Sequence, residues 1–142
     1  IGAGTVTDSV RMLQAKQAGA DFAVSPGTTP SLWAASQASA MPLLPGFTTA
    51  SEAMHLMQMG SAFGKFFPAE VSGGVKALSA LAGPLPDFVV CPTGGITQDS
   101  APDYLALSTV LCVGGSWIAP ASLLQAGDYA EIESRARHAA GL

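Results

Sequence analysis

The chain has 142 residues, of which 49% are apolar and only 11% are charged, and its formal net charge is −4 at pH 7. This length is sufficient for one domain with a sizeable core. The negative charge and the lack of a basic cluster exclude a nucleic-acid-binding surface, and no apolar run approaches the roughly 18 residues that cross a membrane.

Short apolar segments alternate with stretches of helical pattern along the whole chain. Each apolar segment ends in a turn of small residues: Gly2-Ala-Gly-Thr5, Ser25-Pro-Gly27, Leu44-Pro-Gly46, Phe67-Pro-Ala69, Pro92-Thr-Gly-Gly95 and Gly114-Gly-Ser116. Successive turns are about 20 to 25 residues apart, which is the length of one strand plus one helix. This period predicts a series of six βα units.

Capping signals place several of the helices between these turns. Thr49 and Glu52 have the spacing of a capping box, so a helix should begin there and end with Gly60 as its C-cap. A helix over 73–83 is bounded by glycines. The last helix should span 128–140, with acidic residues early and basic residues late, as the helix dipole prefers.

Two segments, 88–91 and 110–113, are apolar at every position. Such segments predict fully buried strands in a parallel sheet that is covered on both sides. Cys91 and Cys112 fall within them, 21 residues apart and without the spacing of a metal site, so we expect reduced, buried thiols. The chain opens on Ile1 without a signal-peptide pattern, which predicts a cytoplasmic location.

A series of βα units fits either a doubly wound open sheet or a (β/α)8 barrel. The last two turns, around Thr93 and Ser116, favour the barrel, because phosphate in such barrels binds to backbone N–H groups of the loops after the final two strands. Glycine lets the backbone approach an anion closely. We therefore expect a single partial barrel domain over 1–142 that begins at the third strand.

Lys65 is the side chain that points most directly to chemistry, because it lies between Phe63 and Phe66 in a strand-like segment. Burial disfavours its ammonium form, and a desolvated lysine attacks carbonyl groups as a free amine. In the other interpretation its aliphatic stem packs while its head reaches water. Glu70 is either a proton shuttle for Lys65 or a carboxylate that favours the start of the next helix.

The chain carries Lys65-Phe-Phe-Pro-Ala-Glu70, Gly73-Gly-Val-Lys-Ala-Leu78, Cys91-Pro-Thr-Gly-Gly-Ile96 and Cys112-Val-Gly-Gly-Ser-Trp117, together with the first two turns. In this order they resemble the 2-keto-3-deoxy-6-phosphogluconate (KDPG) aldolase family over essentially the whole chain. The resemblance implies a class I aldolase on a (β/α)8 barrel, usually trimeric. It would bind pyruvate and a phosphorylated keto acid, with no metal and no cofactor.

The resemblance also assigns site residues. Lys65 would form the Schiff base with pyruvate. The pyruvate-end pocket would be lined by Thr5, Pro26 and Thr93, and the substrate phosphate would be cradled by Gly94, Gly95, Gly115 and Ser116. Thr93 favours the gluconate-type substrate over the galactonate-type one.

The family's general acid/base glutamate and a nearby arginine have no matching position, as expected for a chain that lacks the first two βα units. We expect cleavage of KDPG to pyruvate and glyceraldehyde 3-phosphate, with overlapping action on 4-hydroxy-2-oxoglutarate. Two alternatives remain open. One is a non-catalytic chain that binds phosphate or keto acids, and the other is a partial structure that becomes active only when paired with the missing segment.

Overall fold

The computed structural model describes residues 1–141, which form parallel strands alternating with helices. The strands are β1 (Gly2–Ala3), β2 (Phe22–Val24), β3 (Leu43–Leu44), β4 (Gly46–Phe47), β5 (Phe63–Phe66) and β6 (Val89–Pro92). The helices are α1 (Ser9–Gln17), α2 (Pro30–Ser39), α3 (Ala50–Gln58), α4 (Gly74–Ala82), α5 (Ala101–Leu105), α6 (Ala121–Ala126) and α7 (Tyr129–Ala139). The predicted α/β class is confirmed.

All strand pairs are parallel, in the orders β1-β2-β3 and β4-β5-β6. Only Pro45 separates β3 from β4, because proline has no N–H to donate to a sheet. Hydrogen bonding nevertheless continues across this point. The Leu44 carbonyl accepts from Ser25 N at 3.2 Å, and the Pro45 carbonyl accepts from Lys65 N at 2.8 Å. The two sheets are therefore joined through one chain segment.

The helices bury one face of the strands in two apolar clusters. The first cluster comprises Val6, Met12, Ala23, Leu32, Met41 and Leu43. The second is larger and includes Phe47, Leu56, Phe66, Leu78, Phe88, Val90 and Tyr104. At its centre, the Phe47 ring lies 5.6 Å from the Phe66 ring and 5.4 Å from the Phe88 ring, measured between centroids. These rings attach β4, β5 and the start of β6 to the helical layer.

The opposite face of β5 and β6 is open in the described part of the chain. Side chains alternate along a strand, so Phe63 and Lys65 share this face, and Phe63 is 45% exposed. Val89 and Cys91, one strand further, are likewise not fully buried. The prediction of a strand over 88–91 is thus right in position but wrong in burial, because only one of its faces packs against helices.

The predicted buried strand over 110–113 is wrong. Val110 pairs with Val90 and Gly114 with Thr93, the residue after β6, so the paired positions are four residues apart on this segment but three apart on its partner. One extra residue in a ladder forms a bulge, which interrupts regular pairing. Leu111 is 77% exposed because it lies on the open face of the sheet, near Phe63. Cys112 is also exposed and Cys91 is half-buried, although both had been expected to be buried; both are free thiols.

The predicted capping box depends on local hydrogen bonds and is confirmed. Thr49 Oγ1 accepts from Glu52 N at 3.3 Å, and Glu52 Oε2 accepts from Thr49 N at 2.8 Å, which completes the capping box of α3. The C-cap of α3 is Met59, one residue earlier than the predicted Gly60, which follows it in the left-handed conformation. Over residues 1–141, no helix combines the length and the hydropathy that a membrane span requires.

Candidate active site

Lys65 is fixed at the middle of β5 by strands on both sides. Its Cα pairs in register with Gly46 on one side and with Cys91 on the other. The flanking residues Gly64 and Phe66 are buried against the helical layer. The alternation along the strand therefore directs the half-buried Lys65 side chain to the open face.

The surroundings of Lys65 favour its neutral amine. Burial lowers the pKa of Lys65, and the nearby Cys91 opposes this shift. Burial and the neighbouring Cys112 thiol raise the pKa of Cys91 to about 12, so Cys91 is a neutral thiol near pH 7 and offers Lys65 no anionic partner. The Lys65 Nζ atom lies 4.4 Å from the centroid of the Phe67 ring. The face of this ring favours a cation, so the lowered pKa of Lys65 comes from burial, as it does for lysines that act as nucleophiles.

The turn at residues 93–95 follows β6 and is attached to the end of β5 by three backbone hydrogen bonds. Thr93 N donates to the Phe66 carbonyl at 3.0 Å, and the Thr93 carbonyl accepts from Ala69 N at 2.9 Å. The Gly94 carbonyl accepts from Glu70 N at 3.0 Å. Gly94 and Gly95 have φ angles of +104° and +83°, which strongly favour glycine. The turn thus lies directly beside the strand that carries Lys65.

The loop at residues 114–116 lies against the 93–95 turn. A Cβ at Gly114 would lie 2.6 Å from Thr93 Oγ1, so the two loops are in contact. The Trp117 ring covers Gly115, and Ser116 is exposed. The four residues expected to bind phosphate are therefore placed on two adjacent loops at the carboxyl end of the sheet.

Pro26 and Thr5 also lie at the carboxyl ends of strands. Pro26 follows β2 and Thr5 follows β1, so Thr5 is one strand further from Lys65 than Pro26 is. A Cβ at Gly46, the register partner of Lys65, would lie 2.3 Å from the Pro26 carbonyl carbon. Pro26 is therefore next to the strand pair that contains Lys65. Thr5 follows β1, two strands away from β4, and has a left-handed φ of 58°.

The structure places near this site several residues that the sequence analysis did not assign to it. Phe67 belongs to the Lys65 motif but was interpreted only as apolar context, and its ring contacts both the Lys65 amine and Gly94. Tyr104 lies 34 residues from Glu70, yet its hydroxyl donates to Glu70 Oε1 at 2.6 Å. The expectation that Glu70 favours the next helix start is not supported, because α4 begins at Gly74 without a side-chain cap.

Within residues 1–141, no group of three or more His, Cys, Asp or Glu side chains is placed to hold a metal ion. What the described residues do bring together is an amine of lowered pKa and two loops rich in glycine. These suit covalent chemistry on a carbonyl group beside a bound anion.

Comparison with known proteins gives the family. The sequence profile of the KDPG and KHG aldolases matches residues 1–135, and the chain belongs to this family. It is 52% identical over 139 residues to 2-dehydro-3-deoxy-phosphogluconate aldolase of Dickeya dadantii (strain 3937), covering 98% of this chain and 65% of that protein. It is 51% identical to the KHG/KDPG aldolase of Escherichia coli (strain K12), again covering 65% of the relative. The chain thus spans 65% of the length of these curated relatives.

Solved structures agree with this assignment. The KDPG aldolase of Legionella pneumophila, whose structure holds pyruvate as a covalent carbinolamine intermediate, superposes with a TM-score of 0.94 at 42% identity. The match covers 98% of this chain and 68% of that one. The resemblance found in the sequence motifs is therefore confirmed at the level of the family.

Proposed function

We propose that the protein is a class I aldolase that cleaves KDPG to pyruvate and glyceraldehyde 3-phosphate through a Schiff base on Lys65. 4-Hydroxy-2-oxoglutarate would be its second substrate. One observation carries the proposal: Lys65 is a half-buried strand lysine whose pKa is lowered by burial, in a chain whose relatives are named KDPG or KHG/KDPG aldolases. The non-catalytic binding role is less favoured, because the relatives are named as aldolases.

The chemistry follows from the free amine. Lys65 Nζ adds to the keto carbon, the carbinolamine loses water, and the resulting iminium withdraws electrons as the carbon–carbon bond breaks. The positive charge of the iminium would form close to the position of Nζ, 4.4 Å from the Phe67 ring centroid. An aromatic face at this distance stabilises a cation. The proton transfers need a general acid/base. The family resemblance implies a glutamate for this role, and no residue of this chain matches its position.

The two loops would hold the ends of the substrate. Thr93, with Pro26 and Thr5, would line the pyruvate end, and Gly94, Gly95, Gly115 and Ser116 would bind the phosphate. Over residues 1–141, the structure shows no internal acceptor for the N–H groups of Gly94 and Gly95. Successive N–H groups in such a turn form an anion-binding concavity, which supports a phosphate at this place.

The proposal includes the finer architecture that the family resemblance implies. Residues 1–142 would be a single partial domain of about six βα units from a (β/α)8 barrel, in a cytoplasmic homotrimer. The apolar side chains on the open face, Phe63 and Leu111 among them, support the barrel. Strands of a barrel direct alternate side chains into its interior, where they pack against one another.

Borohydride trapping with pyruvate tests the covalent step. Reduction should leave a pyruvate-sized adduct on the peptide that contains Lys65, detected by mass spectrometry. Lys65→Met should abolish the adduct, and Lys76→Met should retain it as the matched control for losing a lysine elsewhere. An adduct on Lys16 or Lys76 instead, or no adduct on a chain whose circular dichroism shows ordered helices and strands, would overturn the proposal.

Turnover is measured separately. Release of pyruvate from KDPG, coupled to lactate dehydrogenase, should follow the same pattern in the two lysine variants. Adduct formation without cleavage would support the binding role in place of the aldolase.

A further inference from the structure

Tyr104 and Glu70 form a hydrogen-bonded pair behind the 93–95 turn. Tyr104 lies on α5 and is 0% exposed, and its hydroxyl donates to Glu70 Oε1 at 2.6 Å. Burial and the Glu70 carboxylate both raise the pKa of Tyr104, so the phenol stays protonated and remains a donor. A short bond from a hydroxyl to a carboxylate is among the stronger hydrogen bonds in proteins.

Glu70 in turn contacts the turn from both its backbone and its side chain. Its N–H donates to the Gly94 carbonyl at 3.0 Å. A Cβ at Gly95 would lie 2.7 Å from Glu70 Cγ and 2.8 Å from Glu70 Cβ. The Glu70 side chain therefore lies directly against Gly95, with its carboxylate held from behind by Tyr104.

The start of α4 closes around the same pair. A Cβ at Gly74 would lie 3.2 Å from the Tyr104 hydroxyl oxygen and 3.8 Å from Glu70 Oε2. Three separate parts of the chain, the residues after β5, the start of α4 and α5, thus meet at one carboxylate. Because the Glu70 carboxylate is fixed in this way, the rest of its side chain stays in contact with Gly95 and restrains the 93–95 turn.

We propose that Glu70 and Tyr104 are positioning residues that hold the 93–95 turn in the conformation that binds the substrate phosphate. This inference rests on the proposed function. It assigns Glu70 a role in recognising the phosphate end, in place of the proton transfer considered from the sequence. Loss of the pair should weaken binding of phosphorylated substrates selectively, because Lys65 and its strand are held by other contacts.

Tyr104→Phe removes only the hydroxyl and tests the pair directly. The KM for KDPG should rise about tenfold, the usual consequence of losing one hydrogen bond to a charged group, with kcat little changed. The KM for 4-hydroxy-2-oxoglutarate, which has no phosphate, should change far less. Tyr129→Phe removes an exposed hydroxyl on α7 and should change neither value.

The carboxylate side of the pair has its own conservative variant. Glu70→Gln keeps an oxygen that accepts from Tyr104, so it should raise the KM for KDPG less than Glu70→Ala does. Glu133→Gln, on the exposed surface of α7, is the matched control. An equal rise in KM for both substrates in Tyr104→Phe would indicate a purely structural role and overturn the inference. An unchanged KM for both would overturn it as well.

Binding of inorganic phosphate separates this inference from the proposed function. The amide signals of Gly94 and Gly95 should shift on titration with phosphate, and Tyr104→Phe should weaken that binding about tenfold. If this holds while neither substrate is cleaved, only the aldolase proposal fails. If phosphate leaves both amides of the unmodified protein unchanged, the inference fails even if KDPG is cleaved.

Discussion

Replacing Gly95 by alanine should destabilise the protein more than the same replacement at Gly19, although both glycines have a φ of +83°. A residue with a Cβ costs about 1–2 kcal/mol in the left-handed region. Nothing lies within 4 Å of a Cβ at Gly19, so Gly19→Ala should cost only this conformational term. Gly19 therefore serves as the matched control for the backbone effect.

At Gly95 a steric term is added to the conformational one. The new Cβ would lie 2.7 Å from Glu70 Cγ, so the Glu70 side chain must move. It cannot move freely, because its carboxylate accepts the 2.6 Å bond from Tyr104. Breaking a hydrogen bond to a charged group costs about 1.5–3 kcal/mol, which brings the expected loss for Gly95→Ala to about 2.5–5 kcal/mol.

Urea unfolding followed by far-ultraviolet circular dichroism measures both losses, provided that the m-value is unchanged. Equal losses at the two glycines would refute the reasoning, since they would mean that Glu70 does not restrain the turn. The double variant Glu70→Ala/Gly95→Ala sharpens the test. Glu70→Ala removes the Cγ that lies 2.7 Å from the new Cβ, while the Glu70 Cβ at 2.8 Å remains. Part of the steric conflict is thus relieved, so the two changes should cost less together than the sum of the single losses.

Two further predictions concern the open face. Because burial lowers the pKa of Lys65 below the ordinary 10.5, the folded protein releases this proton at a lower pH than the unfolded chain. The free energy of unfolding, taken relative to Lys65→Met, should therefore rise as the pH increases toward about 10.5; a flat or falling difference in urea midpoints would contradict the lowered pKa. Maleimide at pH 8 should label the exposed Cys112 first, because a pKa of about 12 leaves Cys91 almost entirely as unreactive thiol. Equally fast labelling of Cys91 and Cys112 in the unmodified chain, resolved by mass spectrometry of the two peptides, would contradict this environment.

The features that the sequence determined by itself depend on residues close together in the chain. The capping box of Thr49 and Glu52 is one case, since both partners lie within one helical turn. The last helix is another, expected over 128–140 and found at Tyr129–Ala139 between the caps Asp128 and Ala140. The parallel α/β class followed in the same way, because the turns of small residues repeat at the length of one βα unit. The Lys65 and Pro-Thr-Gly-Gly motifs were specific enough to indicate the family.

Tertiary structure decided what depends on residues that are distant in the chain. Glu70 and Tyr104 are 34 residues apart, and nothing near either residue predicts their hydrogen bond. The segment 110–113 has the composition of a buried strand, but it pairs with β6 only at isolated positions and Leu111 lies on the uncovered face. Whether an apolar strand face is covered depends on which elements pack against it. A covered and an uncovered strand can have the same local composition, so composition does not predict burial. For that reason the chain's own pattern singled out Lys65, while the contacts around it became visible only in the folded structure.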